Sequence, residues 1–337
     1  MQGHRRLIDD LNGALHVLLG EDERMYVLGE DIADPYGGAF KATRGLSTNF
    51  PSQVISTPNS EQAIMGVANG LALSGNRVLV ELMFSDFVAL AFDQIVNFAS
   101  KAVSMYGERI PVSVVIRCPS GGYRGYGPTH SQSLQKHFLG VPNVEVFEMT
   151  PYHPVLPLFR HMLERRQPCL FFEEKTLYPL RLEDGPQSGH MSVEHLGSSP
   201  GTACLSFGPR AESDCVLIAP GGMSGMAVRA AEEWLLRYER MVTVLVPARL
   251  YPLDVEPLAV VARECGIVCV VEQSTAGATW GAMVAERLYE RLWGTLRRRI
   301  GLLNSADSVI PTATCLEREV LVQESWIVAK LKELTDG

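Results

Sequence analysis

Two side chains stand where chemistry could be done. Glu61 follows Ile55-Ser56-Thr57-Pro58-Asn59 and opens an apolar run, Ala63, Ile64, Val67, Ala68 and Leu71, at helical spacing. An acid in a first helical turn complements the helix dipole. The same place also offers a carboxylate for proton work at a strand end, where open α/β sheets keep their sites. His130, in Gly-Pro-Thr-His-Ser-Gln-Ser, follows a loop containing Gly121, Gly122, Gly125 and Gly127. It too has two readings, a loop residue with a structural hydrogen bond or a group that exchanges protons near neutrality.

Several enzyme signatures are absent from the sequence, among them Gly-x-Ser-x-Gly, His-Glu-x-x-His and the Walker loop. The glycines before His130 lack dinucleotide-fingerprint spacing, and another strand candidate follows at 144 before any clear helix, which speaks against a nicotinamide site. Gly221-Gly222-Met223-Ser224-Gly225 joins a strand to a helix, as a tight turn or as an anion cradle. Cys265 and Cys269 are four apart, but Cys-Gly-Ile-Val-Cys-Val-Val reads as the approach to a buried strand.

The elements that must position these residues alternate between strand and helix, which predicts a parallel sheet wound with helices. Val78–Leu82, Val112–Ile116, Val144–Phe147 and Leu170–Phe172 are strand candidates. Phe87, Leu90, Ala91, Ile95 and Phe98 continue at helical spacing, while Ser60 caps the helix opened by Glu61 and Gly75 ends it. The proline- and glycine-rich stretch 179–201 predicts a crossing between domains, with residues 1–190 and 191–337 on either side. Beyond it, strands at Val216–Ala219, Val242–Val246 and Ile267–Val271 and helices over 224–240, 255–265 and 279–297 make a second, smaller α/β domain.

Composition fits that scheme, since 337 residues with 46% apolar and 20% charged side chains suffice for two buried cores. A net charge of -8 argues against a nucleic-acid partner. Seven cysteines without regular spacing, no leader-like start and no apolar stretch of spanning length point to a protein of the cytoplasm with no membrane partner.

The order of the motifs says more than any one of them. Gly-Glu-Asp at 29–31, Gly-Gly-Ala-Phe at 37–40, Thr-Pro-Asn-Ser-Glu-Gln-Ala-Ile at 57–64, Phe-Ser-Asp-Phe at 84–87, Ala-Phe-Asp-Gln-Ile-Val-Asn at 91–97, Arg-Cys-Pro-Ser-Gly-Gly at 117–122 and His-Ser-Gln-Ser at 130–133 follow one another. Phe-Phe-Glu-Glu-Lys-Thr-Leu-Tyr at 171–178, Ala-Arg-Leu-Tyr-Pro-Leu-Asp at 248–254 and Val-Val-Glu-Gln at 270–273 extend the series. The run resembles the beta subunits of pyruvate, branched-chain 2-oxo-acid and acetoin dehydrogenases over nearly the whole chain.

That resemblance implies a transketolase-like pyrimidine-binding domain followed by a transketolase C-terminal domain, with thiamine diphosphate lying between two different chains. It implies that Glu61 hydrogen-bonds N1' of the aminopyrimidine, that Phe87 faces the pyrimidine ring with Met83 and Asn59 beside it, and that His130 lines the substrate side and assists acyl transfer. Arg117 either orients the His130 loop or makes a structural salt bridge. The family's Gly-Asp-Gly motif is missing; Glu183-Asp184-Gly185 stands elsewhere, with no strand before it. Magnesium and the diphosphate therefore fall to an alpha-type chain, in an α2β2 assembly.

Some positions depart from the family pattern. Asn59 replaces an apolar residue, Met83 a common glutamine, and Tyr123, Arg124 and Tyr126 bulk up a glycine-rich loop. Arg165 and Gln167 stand where an aspartate and an asparagine help hold a monovalent cation in the branched-chain type. The expected activity is decarboxylation of a 2-oxo acid with acyl transfer to a lipoyl acyltransferase. The alternatives are a non-oxidative carboligase delivering the same carbanion to another acceptor, and a silent scaffold subunit.

Overall fold

Short runs of aliphatic and β-branched residues, buried on both faces, make the central strands, as parallel sheets covered by helices require. The computed structural model describes residues 6–180 and 191–336. The strands of the first half are β1 (Met25–Glu30), β2 (Val54–Thr57), β3 (Arg77–Glu81), β4 (Val114–Ser120), β5 (Glu145–Glu148) and β6 (Cys169–Glu174). Those of the second half are β7 (Ser192–Leu196), β8 (Thr202–Ser206), β9 (Ser213–Ile218), β10 (Met241–Pro247), β11 (Arg249–Tyr251), β12 (Val268–Thr275) and β13 (Gly301–Ser305).

The first sheet has the order β11-β5-β6-β4-β3-β1-β2 and the second β13-β12-β9-β10-β8-β7. β1 pairs in parallel with β2 on one side and with β3 on the other, so the chain reverses its direction of winding between β1 and β3. Such a reversal leaves a crevice at the carboxyl ends of the strands. The second sheet is parallel through β13, β12, β9 and β10 and closes with antiparallel β8 and β7.

The expected strands are present, with one shifted: the run placed at Val112–Ile116 forms its ladder from Val114 to Ser120, which carries it to the glycine loop. The helix opened by Glu61 runs Glu61–Leu73, with the Ser60 hydroxyl accepting from the Ala63 N–H and Gly75 at φ +87° just beyond its end. The next apolar run is not a regular α-helix. Ser85–Ala91 is 3₁₀ and Gln94–Ala99 a π-turn, and the Ser85 and Asp86 side chains bond the loop that carries His130. The helix expected over 279–297 ends at Leu292.

β11 lies in the second half yet pairs antiparallel with β5, so residues 249–251 complete the first sheet. One apolar core accordingly runs from Val80, Ile116 and Phe172 to Leu245, Leu258 and Trp280. The boundary expected near 190, and Glu183-Asp184-Gly185, lie outside the described residues. Cys265 and Cys269 are both buried in apolar clusters. No helix among the described residues is long and apolar enough to cross a membrane.

Candidate active site at the carboxyl ends of the first sheet

The candidate residues gather where the strand order reverses. Glu30 ends β1, Glu61 follows β2, Met83 and Phe87 follow β3, and the loop to His130 follows β4. Glu61 is half-buried and begins the helix that packs on the turn carrying Phe87. The Glu30 carboxyl beside it is buried, and its Oε1 has no partner among the described residues. Burial first, and then the charge of Glu61, hold the Glu30 carboxyl above its ordinary range. Thr57 Oγ1 is likewise buried without a partner, Met83 is half-buried, and Asn59 is exposed at the rim.

On the other side of the crevice the structure brings Phe87 and His130 together. The His130 ring meets Phe87 edge-on at 5.2 Å between centroids and Phe84 at 4.7 Å. Its Nδ1 lies 3.0 Å from the Thr129 hydroxyl, and its carbonyl accepts from Lys175 Nζ at 2.9 Å. The loop is tied to the Phe87 turn twice, because Ser85 Oγ donates to the Gln132 carbonyl (2.8 Å) and Gln132 Nε2 donates to Asp86 (2.8 Å). His130 thus has its ring set by aromatic contacts and one ring nitrogen within hydrogen-bond distance of a hydroxyl.

Phe84, Lys175 and Glu30 belong to this cluster and were not singled out from the sequence. Phe84 was legible as the partner of Phe87, since residues three apart share a side of a 3₁₀ turn. Lys175 is wholly buried under the rings of Phe84 and Tyr126. Burial lowers its ammonium pKa and raises that of Glu174 beside it.

Arg117 does not reach the His130 loop. It is wholly buried and bonds Glu81 through Nη1 (2.7 Å) and Glu173 through Nε (2.7 Å) and Nη2 (2.9 Å), so its role is structural. Burial opposes its charge, but Glu173 and Glu81 outweigh this and raise its pKa. The Gly221-Gly222 loop does hold a carboxyl on its backbone, but one of the chain's own: the Gly222 N–H donates to Glu148 Oε1 at 3.2 Å. A side chain at Gly221, where φ is +35°, would run into that carboxyl. Arg165 and Gln167 both donate to Glu145, at 2.5 and 2.8 Å.

The aminopyrimidine half of thiamine diphosphate suits this crevice. It would meet a carboxylate at Glu61, an apolar wall at Met83 and Phe87, and buried polar atoms of Glu30 and Thr57 that have no partner among the described residues.

Residues 7–181 match the family described as Transketolase, pyrimidine binding domain, and residues 209–327 the one described as Transketolase, C-terminal domain. The chain is 31% identical over 308 residues to 2-oxoisovalerate dehydrogenase subunit beta 2, mitochondrial, of Arabidopsis thaliana, covering 90% of this chain and 82% of that protein. It is 31% identical to 2-oxoisovalerate dehydrogenase subunit beta of Bacillus subtilis, covering 98% of each. Acetoin:2,6-dichlorophenolindophenol oxidoreductase subunit beta of Bacillus subtilis is 26% identical, with 97% of this chain and 96% of that protein covered. A solved structure described as "Split gene transketolase, inactive beta4 tetramer" shares the fold, with a TM-score of 0.73, 21% identity and 97% of each chain covered. Two domains of transketolase type, with such relatives along nearly the whole length, assign the chain to the family of beta subunits of thiamine-diphosphate-dependent 2-oxo-acid dehydrogenases.

Proposed function

We propose that this chain, paired with an alpha-type subunit, decarboxylates a 2-oxo acid and passes the acyl group to the lipoyl group of a partner acyltransferase in the cytoplasm. The observation that carries this reading is the placement of Glu61 on one side of the crevice and of Phe87 and His130, in edge contact, on the other. Thiamine diphosphate, when bound, supplies an acidic ring carbon that adds to the 2-oxo carbonyl and a ring that accepts the electron pair left by decarboxylation. Glu61 holds the proton at N1' of the aminopyrimidine, Met83 and Phe87 fix the plane of that ring, and Asn59 closes the rim. His130 exchanges a proton with the acyl acceptor on the substrate side.

Among the described residues no group of three or more His, Cys, Asp and Glu side chains is placed to hold a metal ion. Because the sequence lacks the family's Gly-Asp-Gly motif, magnesium and the diphosphate are assigned to the alpha-type chain, whose oxygen ligands would suit that hard cation, in an α2β2 assembly. The domain division at residue 190 is kept as part of the same proposal.

The test is reconstitution with an alpha-type subunit, magnesium and thiamine diphosphate, assayed against a panel of 2-oxo acids with a dye acceptor and with a lipoyl domain. Turnover of at least one acid in both assays is the expected result. His130→Ala should reduce acyl delivery about 100- to 10,000-fold more than dye reduction, the range of a positioned acid or base. Absence of turnover across the panel overturns the proposal, and equal losses in the two assays remove His130 from acyl transfer.

A further inference from the structure

We infer that Arg124 is a specificity-determining residue that binds a remote anionic group, a carboxylate or phosphate, on the small-molecule reactant of this site; the inference rests on the function proposed above.

Arg124 and His130 are joined through Lys175 from its two ends. The Lys175 ammonium donates to the His130 carbonyl, and Arg124 Nη1 donates to the Lys175 carbonyl at 3.0 Å. The guanidinium lies over Phe40 (5.9 Å to the centroid) and Tyr126 (5.7 Å). Both rings contact Phe84, which contacts His130, so Arg124 stands on the aromatic wall of the crevice.

Its backbone is held in place. Glu317, buried in the second half of the chain, accepts from the Tyr123 N–H at 2.9 Å and the Gly125 N–H at 3.2 Å. The Tyr123 hydroxyl donates to the Val322 carbonyl at 2.8 Å. Arg124 lies between the two clamped amides, so its direction is set before any ligand arrives, which reduces the ordering cost of binding.

Beyond its one bond to the Lys175 carbonyl, the guanidinium keeps donors in hand. It is exposed, and no carboxylate among the described residues forms an ion pair with it. Glu174 is close enough to feel its charge but is buried and bonded to Thr176, and Glu317 is engaged with the two amides. Several other exposed arginines among the described residues are paired, Arg160 with Glu21, Arg229 with Glu324 and Arg299 with Glu333. A planar fork braced on two rings, with donors left over, is suited to bidentate capture of a carboxylate or phosphate.

The anionic group could belong to the 2-oxo acid or to the acceptor, and two assays of the reconstituted enzyme separate these. One compares 2-oxoglutarate with 2-oxopentanoate, using a dye acceptor. The other supplies pyruvate as donor and compares glycolaldehyde phosphate with glycolaldehyde as acceptors. In at least one assay the charged reactant should have the higher kcat/KM. Arg124→Met should lower the charged-to-neutral ratio there roughly 10- to 100-fold, the strength of a hydrogen bond to a charged group. Arg124→Lys should recover part of that ratio, because charge is kept and the fork is lost. Calorimetry with glutarate, which needs no turnover, should show weaker binding to the Arg124→Met enzyme. Preference for the neutral reactant in both assays, or an unaltered ratio in the variant, overturns the inference while leaving the proposed activity intact. Loss of glutarate affinity without turnover of any 2-oxo acid would support Arg124 and overturn the proposed activity.

Discussion

Two groups of carboxylates in the first sheet differ in one respect. Around Arg117, in the sheet interior, Glu81 and Glu173 share a wholly buried guanidinium, and the Tyr178 hydroxyl adds a bond of 2.6 Å to Glu173. In the crevice, the buried Glu30 carboxyl feels the charge of Glu61, and its Oε1 has no partner among the described residues. The first group is completed by the chain itself, as buried charges must be. In the function proposed here, the aminopyrimidine would complete the second.

Glu61→Gln tests this contrast with the largest expected effect. The substitution keeps the shape of the side chain and removes the proton-accepting carboxylate, so the reconstituted enzyme should lose about 100- to 10,000-fold in kcat. Thermal stability should change little, because the residue is half-exposed at a helix start. Near-normal turnover would return Glu61 to the role of a dipole-complementing acid. Arg117→Met is the converse. It leaves Glu81 and Glu173 buried without their cation and should cost about 3–5 kcal/mol of stability, measured by urea denaturation. Arg117→Met combined with Glu81→Gln and Glu173→Gln should recover part of that loss, since the uncompensated charges are then gone. A stable Arg117→Met single variant would show that the network is less closed than its bonds indicate.

The sequence carried different amounts of information at different places. Local rules located the helix at Glu61, its Ser60 cap and the principal strands, because apolar period and capping chemistry act over a few residues. The order of the motifs put Phe87 and His130, 43 positions apart in the numbering, at one site, but their edge contact was not legible in the sequence. Three features had no local signal. β11 is three residues long, and nothing in Arg-Leu-Tyr says that it pairs with β5 rather than with its own half. Arg117 finds its carboxylates 36 and 56 residues away. The Gly221-Gly222 turn read either as a tight turn or as an anion cradle, and the carboxyl its Gly222 N–H meets comes from Glu148, 74 residues earlier.

Glu148 gives the smallest effect and refines the comparison, because it belongs to a third group, on the face where the two halves of the chain meet. Its carboxyl receives the Gly222 N–H and a bond from Gln135 Nε2 at 3.1 Å, with Glu174 and Glu272 close by. Glu272 is engaged with the Trp280 and Gly281 amides at the start of a helix. Burial first, and the charge of Glu174 next, push the Glu148 pKa up to about 8 from its ordinary 4.5. The folded protein therefore keeps this proton across a window in which the unfolded chain releases it. Binding more protons in the folded state means that stability falls as pH rises from about 4.5 to about 8, with the loss complete above that range. Glu148→Gln cannot ionise and keeps both a donor and an acceptor. Its stability relative to the parent should be near equal at the acid end of the window and should grow on the alkaline side, reaching about 1–3 kcal/mol, the cost of a buried group without adequate compensation. Urea denaturation of both proteins at several pH values across the window measures the difference. A gap that stays constant with pH would mean that Glu148 is already ionised in the folded state, placing it with the compensated acids around Arg117.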